Sequence, residues 1–155
     1  MRLPTFTLAR LLRPLGDRGT VAVEFAFLAP VLAALTLGAW DFGNCFLESE
    51  RLASAARAGA QYGIQTAAHA TDFAGMAQAA RNDANDTDNL LGVSATQVCS
   101  CPGGASVACT DSCPGVPQPS FYVKLTVSED YTTLVTYPFV SNPISLSSQL
   151  LIRQQ

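Results

Sequence analysis

The feature that most constrains this chain is a long apolar run near its N-terminus. Residues 20–40 contain one charged side chain, Glu24, among apolar and small residues. A helix of these 21 residues would rise ~31 Å at ~1.5 Å per residue, close to the ~30 Å hydrocarbon core of a bilayer. Trp40 ends the run with an aromatic side chain of the kind that prefers the membrane interface. The run therefore predicts a transmembrane helix over residues 20–40.

The residues before this run form a basic leader. Within residues 1–19, four arginines stand against one acid, Asp17. Positive charge beside a span holds that end in the cytoplasm, so we expect residues 1–19 to be cytoplasmic and residues 41–155 to be exported. The whole chain has a net charge of −3 and no basic patch beyond the leader, which argues against a nucleic-acid partner.

A cleaved secretory signal is the alternative explanation of the same run. The small residues Gly38 and Ala39 resemble a signal-peptidase site. The run is longer than the apolar part of a usual signal peptide, however, and it contains Glu24. A retained span is therefore favoured over a cleaved signal.

The helical pattern continues after residue 40 as an amphipathic stalk. A stripe of mostly small apolar residues recurs at helical spacing, and polar residues occupy the other faces. Small side chains allow a sheet or a second backbone to approach closely. We expect the stripe to pack onto the C-terminal sheet of the same chain, with packing against a neighbouring subunit as the alternative. The stripe comprises Leu52, Ala55, Ala56, Gly59, Ala60, Gly63, Ile64 and Ala67.

Several residues in this long helical segment are poor helix formers. Pro30 is expected to bend or loosen the membrane helix. Glycine inside a helix costs about 1 kcal/mol relative to alanine. Local breaks are therefore predicted at Gly43, Gly59 or Gly63.

The C-terminal part changes from helical to strand periodicity. Thr71 or Asp72 is expected to cap a second, short helix that ends in the polar segment 82–89. The predicted fold class is α+β: a single N-terminal transmembrane helix, an amphipathic stalk, and a small exported domain with a short helix and an antiparallel sheet. The predicted strands are residues 93–99, 121–127, 131–137 and 144–152.

Four of the five cysteines fall in one Pro- and Gly-rich loop: Cys99, Cys101, Cys109 and Cys113. Such a cluster forms disulfides in an oxidising compartment and can bind zinc in a reducing one. The spacing lacks the Cys-x-x-Cys pairs of zinc sites and the predicted compartment is oxidising, so two disulfides and no metal are expected. Cys99 and Cys101 are each expected to pair forward, with either Cys109 or Cys113. Cys45 is left over, as a buried thiol or an intermolecular bridge.

No catalytic centre is visible in the sequence. His69, the single histidine, has no nucleophile or ligand set beside it and is expected to be solvated or to cap a helix. We therefore predict that the protein is not an enzyme and that it uses no cofactor.

The residues around Glu24 resemble a known family. Gly19, four further residues and then Glu24 and Phe25 are similar to the cleavage motif of prepilins, in which a dedicated peptidase cuts after the glycine. More narrowly, the chain resembles the TadE-like minor pseudopilins of tight-adherence (Flp) pilus systems, strongly through about residue 63 and only in its strand pattern afterwards. The similarity rests on the order and spacing of four short segments: residues 19–26, 28–30, 41–43 and 55–63.

This resemblance implies a role and a set of partners. It implies cleavage between Gly19 and Thr20 by a prepilin peptidase, and a Glu24 carboxylate that pairs with the α-amino group of a neighbouring processed chain. It implies a non-catalytic protein of the bacterial inner membrane, with a periplasmic, pilin-like domain, needed for assembly of an Flp pilus in adhesion or secretion. Its partners would be the membrane, the peptidase, other pilins or pseudopilins and the assembly platform, with the protein at the base of the pilus or within it.

Two other functions stay open on the residues alone. In one, the chain is a single-pass, signal-anchored envelope protein whose exported domain is a binding module, and Glu24 is incidental. In the other, it is a thiol-based envelope enzyme, for which the sequence offers no general base, nucleophile pair or oxyanion motif.

Overall fold

The structure, a computed structural model, describes residues 18–116 and 118–154, so most of the predicted basic leader lies outside the described residues. The chain divides into two compact units, Met1–Trp40 and Asp41–Gln155. The architecture is α+β, as predicted. The elements, in chain order, are α1 (Arg18–Ile64), a 3-10 turn (His69–Thr71), α2 (Phe73–Asp83), β1 (Gly92–Ser100), β2 (Ser106–Val107), β3 (Ser120–Tyr131) and β4 (Ile144–Arg153).

The N-terminal part of α1 is apolar on its surface. Helix α1 is the one helix among the described residues that is long and apolar enough to cross a membrane. A helix that is apolar all round needs lipid or other protein around it. Every large apolar side chain from residue 21 to residue 40 is exposed: Val21, Val23, Phe25, Phe27, Leu28, Val31, Leu32, Leu35, Leu37 and Trp40.

Helix α1 is longer and more regular than its sequence predicted. It continues through Pro30, Gly43 and Gly59 and ends at Ile64. The breaks predicted at Gly43 and Gly59 are wrong, whereas the helix does end directly after Gly63. The bend at Pro30 stays a prediction.

The packing around Gly59 explains why the helix tolerates this glycine. A Cβ atom there would lie 2.5 Å from Leu125 Cδ2 and 2.7 Å from the Met76 carbonyl oxygen. Only a glycine permits this approach, and the resulting core contacts offset its low helix propensity.

The small-residue stripe of α1 packs onto the sheet of the same chain, which confirms the intramolecular packing predicted for it. The helix and the sheet contribute to one buried cluster, together with α2. Ile64 and Ala67, at the end of the predicted stripe, are exposed instead. The buried cluster consists of Leu52, Ala55, Ala56, Ala60, Ala70, Met76, Ala80, Ala84, Leu91, Val123, Leu125 and Val127.

Helix α2 begins and ends where its sequence indicates. Asp72 is the N-cap, and its Oδ1 accepts a hydrogen bond from the Gly75 amide at 2.9 Å. Met76 and Ala80 point into the core. The helix ends at Asp83, inside the polar segment predicted to terminate it.

The four strands form one antiparallel sheet in the order β2-β1-β3-β4. Val123, Leu125 and Val127 alternate along β3 and are fully buried, so they form the face of the strand that is turned to the core. The register of β1 with β3 runs from Gly92↔Ser128 to Ser100↔Ser120, and that of β3 with β4 from Tyr122↔Arg153 to Tyr131↔Ile144.

The strand predicted over residues 131–137 is wrong. Tyr131 ends β3, and residues 132–143 form a loop that leads to β4. Val, Thr and Tyr favour a pleated surface, so the segment has the composition of a strand. Its amides at Leu134 and Val135 donate to the carboxylate of Asp41 instead of to a neighbouring strand.

Candidate membrane anchor and assembly site

The residues predicted to serve processing and assembly lie within the described part of α1, close to its N-terminal limit. Gly19 is partly exposed, and Thr20 and Glu24 are exposed. Thr20 and Glu24 are four positions apart, which places them on the same face of the helix. Within residues 18–116 and 118–154, no side chain forms an ion pair with Glu24. Among the described residues, the Glu24 side chain is therefore exposed and forms no ion pair.

The buried acid Asp41 directly follows the apolar segment in the sequence. Asp41 is 4% exposed. Its Oδ1 accepts a hydrogen bond from the Leu134 amide at 3.0 Å. Its Oδ2 accepts from the Val135 amide at 3.4 Å and from the Tyr137 hydroxyl at 2.8 Å. Asp41 therefore fastens the 132–143 loop to α1 through three donors.

These contacts set the charge state of both side chains. The Leu134 amide has the largest influence and lowers the pKa of Asp41 below its ordinary value of 3.8; burial opposes it, and Tyr137 and Val135 add to the lowering. The bond to Asp41, followed by burial, raises the pKa of Tyr137 above its ordinary value of 10.0. At neutral pH the pair is therefore an aspartate anion and a neutral phenol that donates to it.

The 132–143 loop is also tied within itself. The Thr133 amide donates to Asn142 Oδ1 at 3.3 Å, and the Thr133 hydroxyl donates to the Val135 carbonyl oxygen at 2.8 Å. Thr133 is buried, and its polar groups have the partners that burial requires. The base of the loop is thus polar and ordered by hydrogen bonds.

A second polar tie joins α1 to the sheet through Arg51. Its Nε donates to Glu48 at 2.7 Å, its Nη2 donates to Glu129 on β3, and its Nη1 donates to the Ala84 carbonyl oxygen at 3.3 Å. Burial opposes the charge of Arg51, but the hydrogen bonds to Glu48 and Glu129 outweigh it and raise the pKa of the guanidinium. Arg51 is therefore a partly buried link between α1, the residue that follows α2, and β3.

His69 has a packing role that the sequence did not predict. Its ring stacks on that of Tyr62, with centroids 4.3 Å apart and planes inclined by 18°. The Tyr62 hydroxyl donates to Asp72 at 2.8 Å. The Gly75 amide, followed by the Tyr62 hydroxyl, lowers the pKa of Asp72. These side chains join the end of α1 to the start of α2, so the histidine serves the fold.

The four clustered cysteines form two disulfides, as the sequence predicted. Cys99 on β1 pairs with Cys109, and Cys101 pairs with Cys113, at sequence separations of 10 and 12 residues. Bridges that close loops of this size stabilise small domains by about 2–4 kcal/mol each. Cys45 is a partly exposed free thiol. In the part of the chain that the structure describes, no group of three or more His, Cys, Asp or Glu side chains could hold a metal ion.

Sequence reasoning missed the roles of Asp41 and Arg51. The sequence placed Asp41 in segment 41–43 of the family resemblance and gave Arg51 no individual role. The donors to Asp41 lie 93 to 96 positions further along the chain, and the Glu129 partner of Arg51 lies 78 positions further. An acid placed directly after an apolar run was the one local sign of a special role for Asp41.

Comparison with known proteins bears on α1. Residues 19–61 match the family model described as TadE-like protein. This match contains Gly19, Thr20 and Glu24 as well as Asp41 and Arg51. A search of curated proteins and a search of solved structures each found no match. The family-model match confirms the resemblance noted in the sequence over residues 19–61, where the chain is similar to the TadE-like family.

Proposed function

We propose that this TadE-like protein is a non-catalytic minor pseudopilin needed for assembly of a Flp (Tad) pilus. One observation carries the proposal: the family match coincides with a helix whose large apolar side chains are all exposed from residue 21 to residue 40. A helix that is apolar all round suits a membrane first and a bundle of similar helices afterwards. A subunit that leaves a membrane to join a pilus needs both environments.

The proposed location before assembly is the bacterial inner membrane, crossed once by residues 20–40. The arginines within residues 1–19 favour a cytoplasmic N-terminus. The two disulfides support a periplasmic position for residues 41–155, because disulfides persist in oxidising compartments. Both observations agree on one orientation.

The proposed processing site is the bond between Gly19 and Thr20, cut by a prepilin peptidase. The motif of a glycine followed by Glu24 at the fifth position beyond it supports this assignment. The bond lies near the N-terminal limit of the described part of α1, and Thr20 is exposed there. Cleavage would leave Thr20 with a free α-amino group.

The proposed role of Glu24 is to pair with that α-amino group on a neighbouring processed chain. A lone carboxylate in a membrane costs on the order of ~2.5–3.5 kcal/mol at the centre and less near an end. Glu24 has no ion-pair partner among the described residues of its own chain. A charge supplied by another pilin or pseudopilin would remove the cost and set the register of the two helices.

The experiment that tests this function is piliation of cells in which Glu24→Val or Glu24→Gln replaces the wild type. We expect both variants to be inserted and stable but unable to support piliation, because neither carries the pairing charge. The matched control is Glu50→Gln, which removes an exposed carboxylate of α1 outside residues 20–40 and should leave piliation normal.

Two outcomes would contradict the proposal at different points. Normal piliation in Glu24→Val would remove the special role of the carboxylate. Normal piliation in a strain that lacks the whole chain would remove the assembly function and favour a signal-anchored binding protein.

A further inference from the structure

The 132–143 loop is longer and more apolar than its position in the sheet requires. It joins β3 to β4, which are antiparallel neighbours, and such strands are usually joined by about two to five residues. The loop contains no charged residue. Leu134 is 69% exposed and Phe139 is fully exposed, and Val140 also faces outward. An uncharged loop that displays large apolar side chains indicates a contact with something other than water.

The backbone of Phe139 also has an unusual conformation. Its φ is +72°, in the left-handed region that a bulky side chain rarely adopts. No core contact accounts for this conformation, because the ring lies wholly at the surface. Residues held in sparsely populated backbone conformations cluster at functional sites.

The contacts of Asp41 fix the loop to one point of the chain. Asp41 directly follows residue 40, the last residue of the apolar segment. Its carboxylate holds the Leu134 and Val135 amides and the Tyr137 hydroxyl at 3.0, 3.4 and 2.8 Å. The loop is therefore held within hydrogen-bond reach of the residue at which the chain leaves the membrane.

The next turn of α1 adds aromatic side chains at this level. Phe42 and Phe46 are both exposed. Aromatic side chains at the end of a span are characteristic of the boundary between headgroups and acyl chains. Both α1 and the loop thus expose large apolar residues within the unit that begins at Asp41.

We propose that the 132–143 loop inserts Phe139 and its apolar neighbours into the headgroup–acyl boundary on the exported side of the membrane. Lipid is a better occupant than a second copy of the chain, because the bonds to Asp41 hold the loop beside the residue that directly follows the predicted transmembrane segment. The proposal rests on the membrane insertion of residues 20–40, and it is independent of cleavage and of pilus assembly.

The experiment uses tryptophan emission of the full chain in vesicles of phosphatidylethanolamine and phosphatidylglycerol, with ordinary or brominated acyl chains. The chain has one tryptophan, Trp40, so a Trp40→Phe, Phe139→Trp double variant reports on the loop alone. We expect its emission to shift to the blue and to be strongly quenched by brominated lipid. The matched control is Trp40→Phe, Leu151→Trp, an exposed apolar position on β4 seven residues beyond Ile144, which should be unquenched.

Emission from the Phe139→Trp variant that equals the Leu151→Trp control would overturn the proposal. The proposal would also be overturned if the blue shift of the Phe139→Trp emission increased with the protein-to-lipid ratio. That result would identify a second copy of the chain as the occupant. The emission of the wild-type chain, which keeps Trp40, distinguishes loss of the loop contact from loss of the membrane anchor. If Trp40 is quenched and Phe139→Trp is not, only the loop contact is lost; if neither is quenched, the membrane anchor is lost as well.

Discussion

Asp41 occupies the position at which the chain leaves its apolar segment, yet its carboxylate is turned toward the protein. Two backbone amides and one hydroxyl donate to it, and these charge-assisted hydrogen bonds compensate the cost of burying the anion. The composition of residues 134 and 135 favours a strand, but their amides donate to Asp41 instead of to a neighbouring strand. One side chain thus determines the conformation of a loop more than 90 positions away.

Stability is expected to depend on acidic pH through Asp41. Folding lowers the pKa of Asp41, so the anion stabilises the folded state above pH 3.8, and this contribution is lost as the pH falls through the lowered pKa. The measurement is chemical unfolding of the full chain in detergent micelles, for wild type and Asp41→Asn. The excess stability of the wild type should be constant near neutral pH and should shrink below pH 3.8.

Stability is also expected to depend on alkaline pH, through Tyr137. Folding raises the pKa of Tyr137, so the neutral phenol stabilises the folded state below pH 10.0, and this contribution is lost as the pH rises through the raised pKa. Tyr137→Phe should abolish the alkaline limb and leave an acidic one.

A wild-type excess over Asp41→Asn that does not change in acid would show that the carboxylate does not act as described.

At the scale of elements, α1 combines two surfaces that follow different rules. Its first part exposes large apolar side chains, and its second part carries the small residues against which α2 and the sheet pack. Gly59 marks the closest approach, since any side chain there would meet both Leu125 and a backbone oxygen of Met76. Close helix–sheet packing, and not helix propensity, decides the residue at this position.

Two glycine substitutions separate packing from propensity. Gly59→Ala gains about 1 kcal/mol of helix propensity but overpacks the core, which costs about 1–3 kcal/mol. Because the Met76 carbonyl is backbone and cannot rotate away, we expect a net loss in free energy of unfolding. Gly43→Ala, where an added Cβ meets nothing within 4 Å, should instead gain up to about 1 kcal/mol. Equal stabilisation by both variants in chemical unfolding would contradict the packing at Gly59.

Local rules predicted those elements whose determinants lie close together in the chain. The Asp72 cap, the alternating face of β3 and the small-residue stripe of α1 each follow from spacing within a few turns or residues. The segment 131–137 was wrongly predicted as a strand because the Leu134 and Val135 amides donate to the carboxylate of Asp41, which is distant in the sequence. The choice between Cys109 and Cys113 as the partner of Cys99 likewise depends on strand pairing, since Cys99 lies opposite Val107 on β2, two residues before Cys109.

At the scale of the molecule, the two units are stabilised in different ways. The unit from residue 41 onward has its own buried cluster, two disulfides and polar ties at Asp41 and Arg51. The described part of the first unit exposes its apolar side chains and needs lipid or other subunits around it. This division suits a subunit that associates through its N-terminal helix and folds independently beyond it.

Intact mass of the protein from cells with and without the prepilin peptidase tests the pseudopilin assignment most directly. With the peptidase, we expect a mature chain that begins at Thr20 and lacks residues 1–19. Without the peptidase, the chain should keep its full mass. The same uncut mass in both strains, or a mature chain that begins at Trp40, would contradict the assignment.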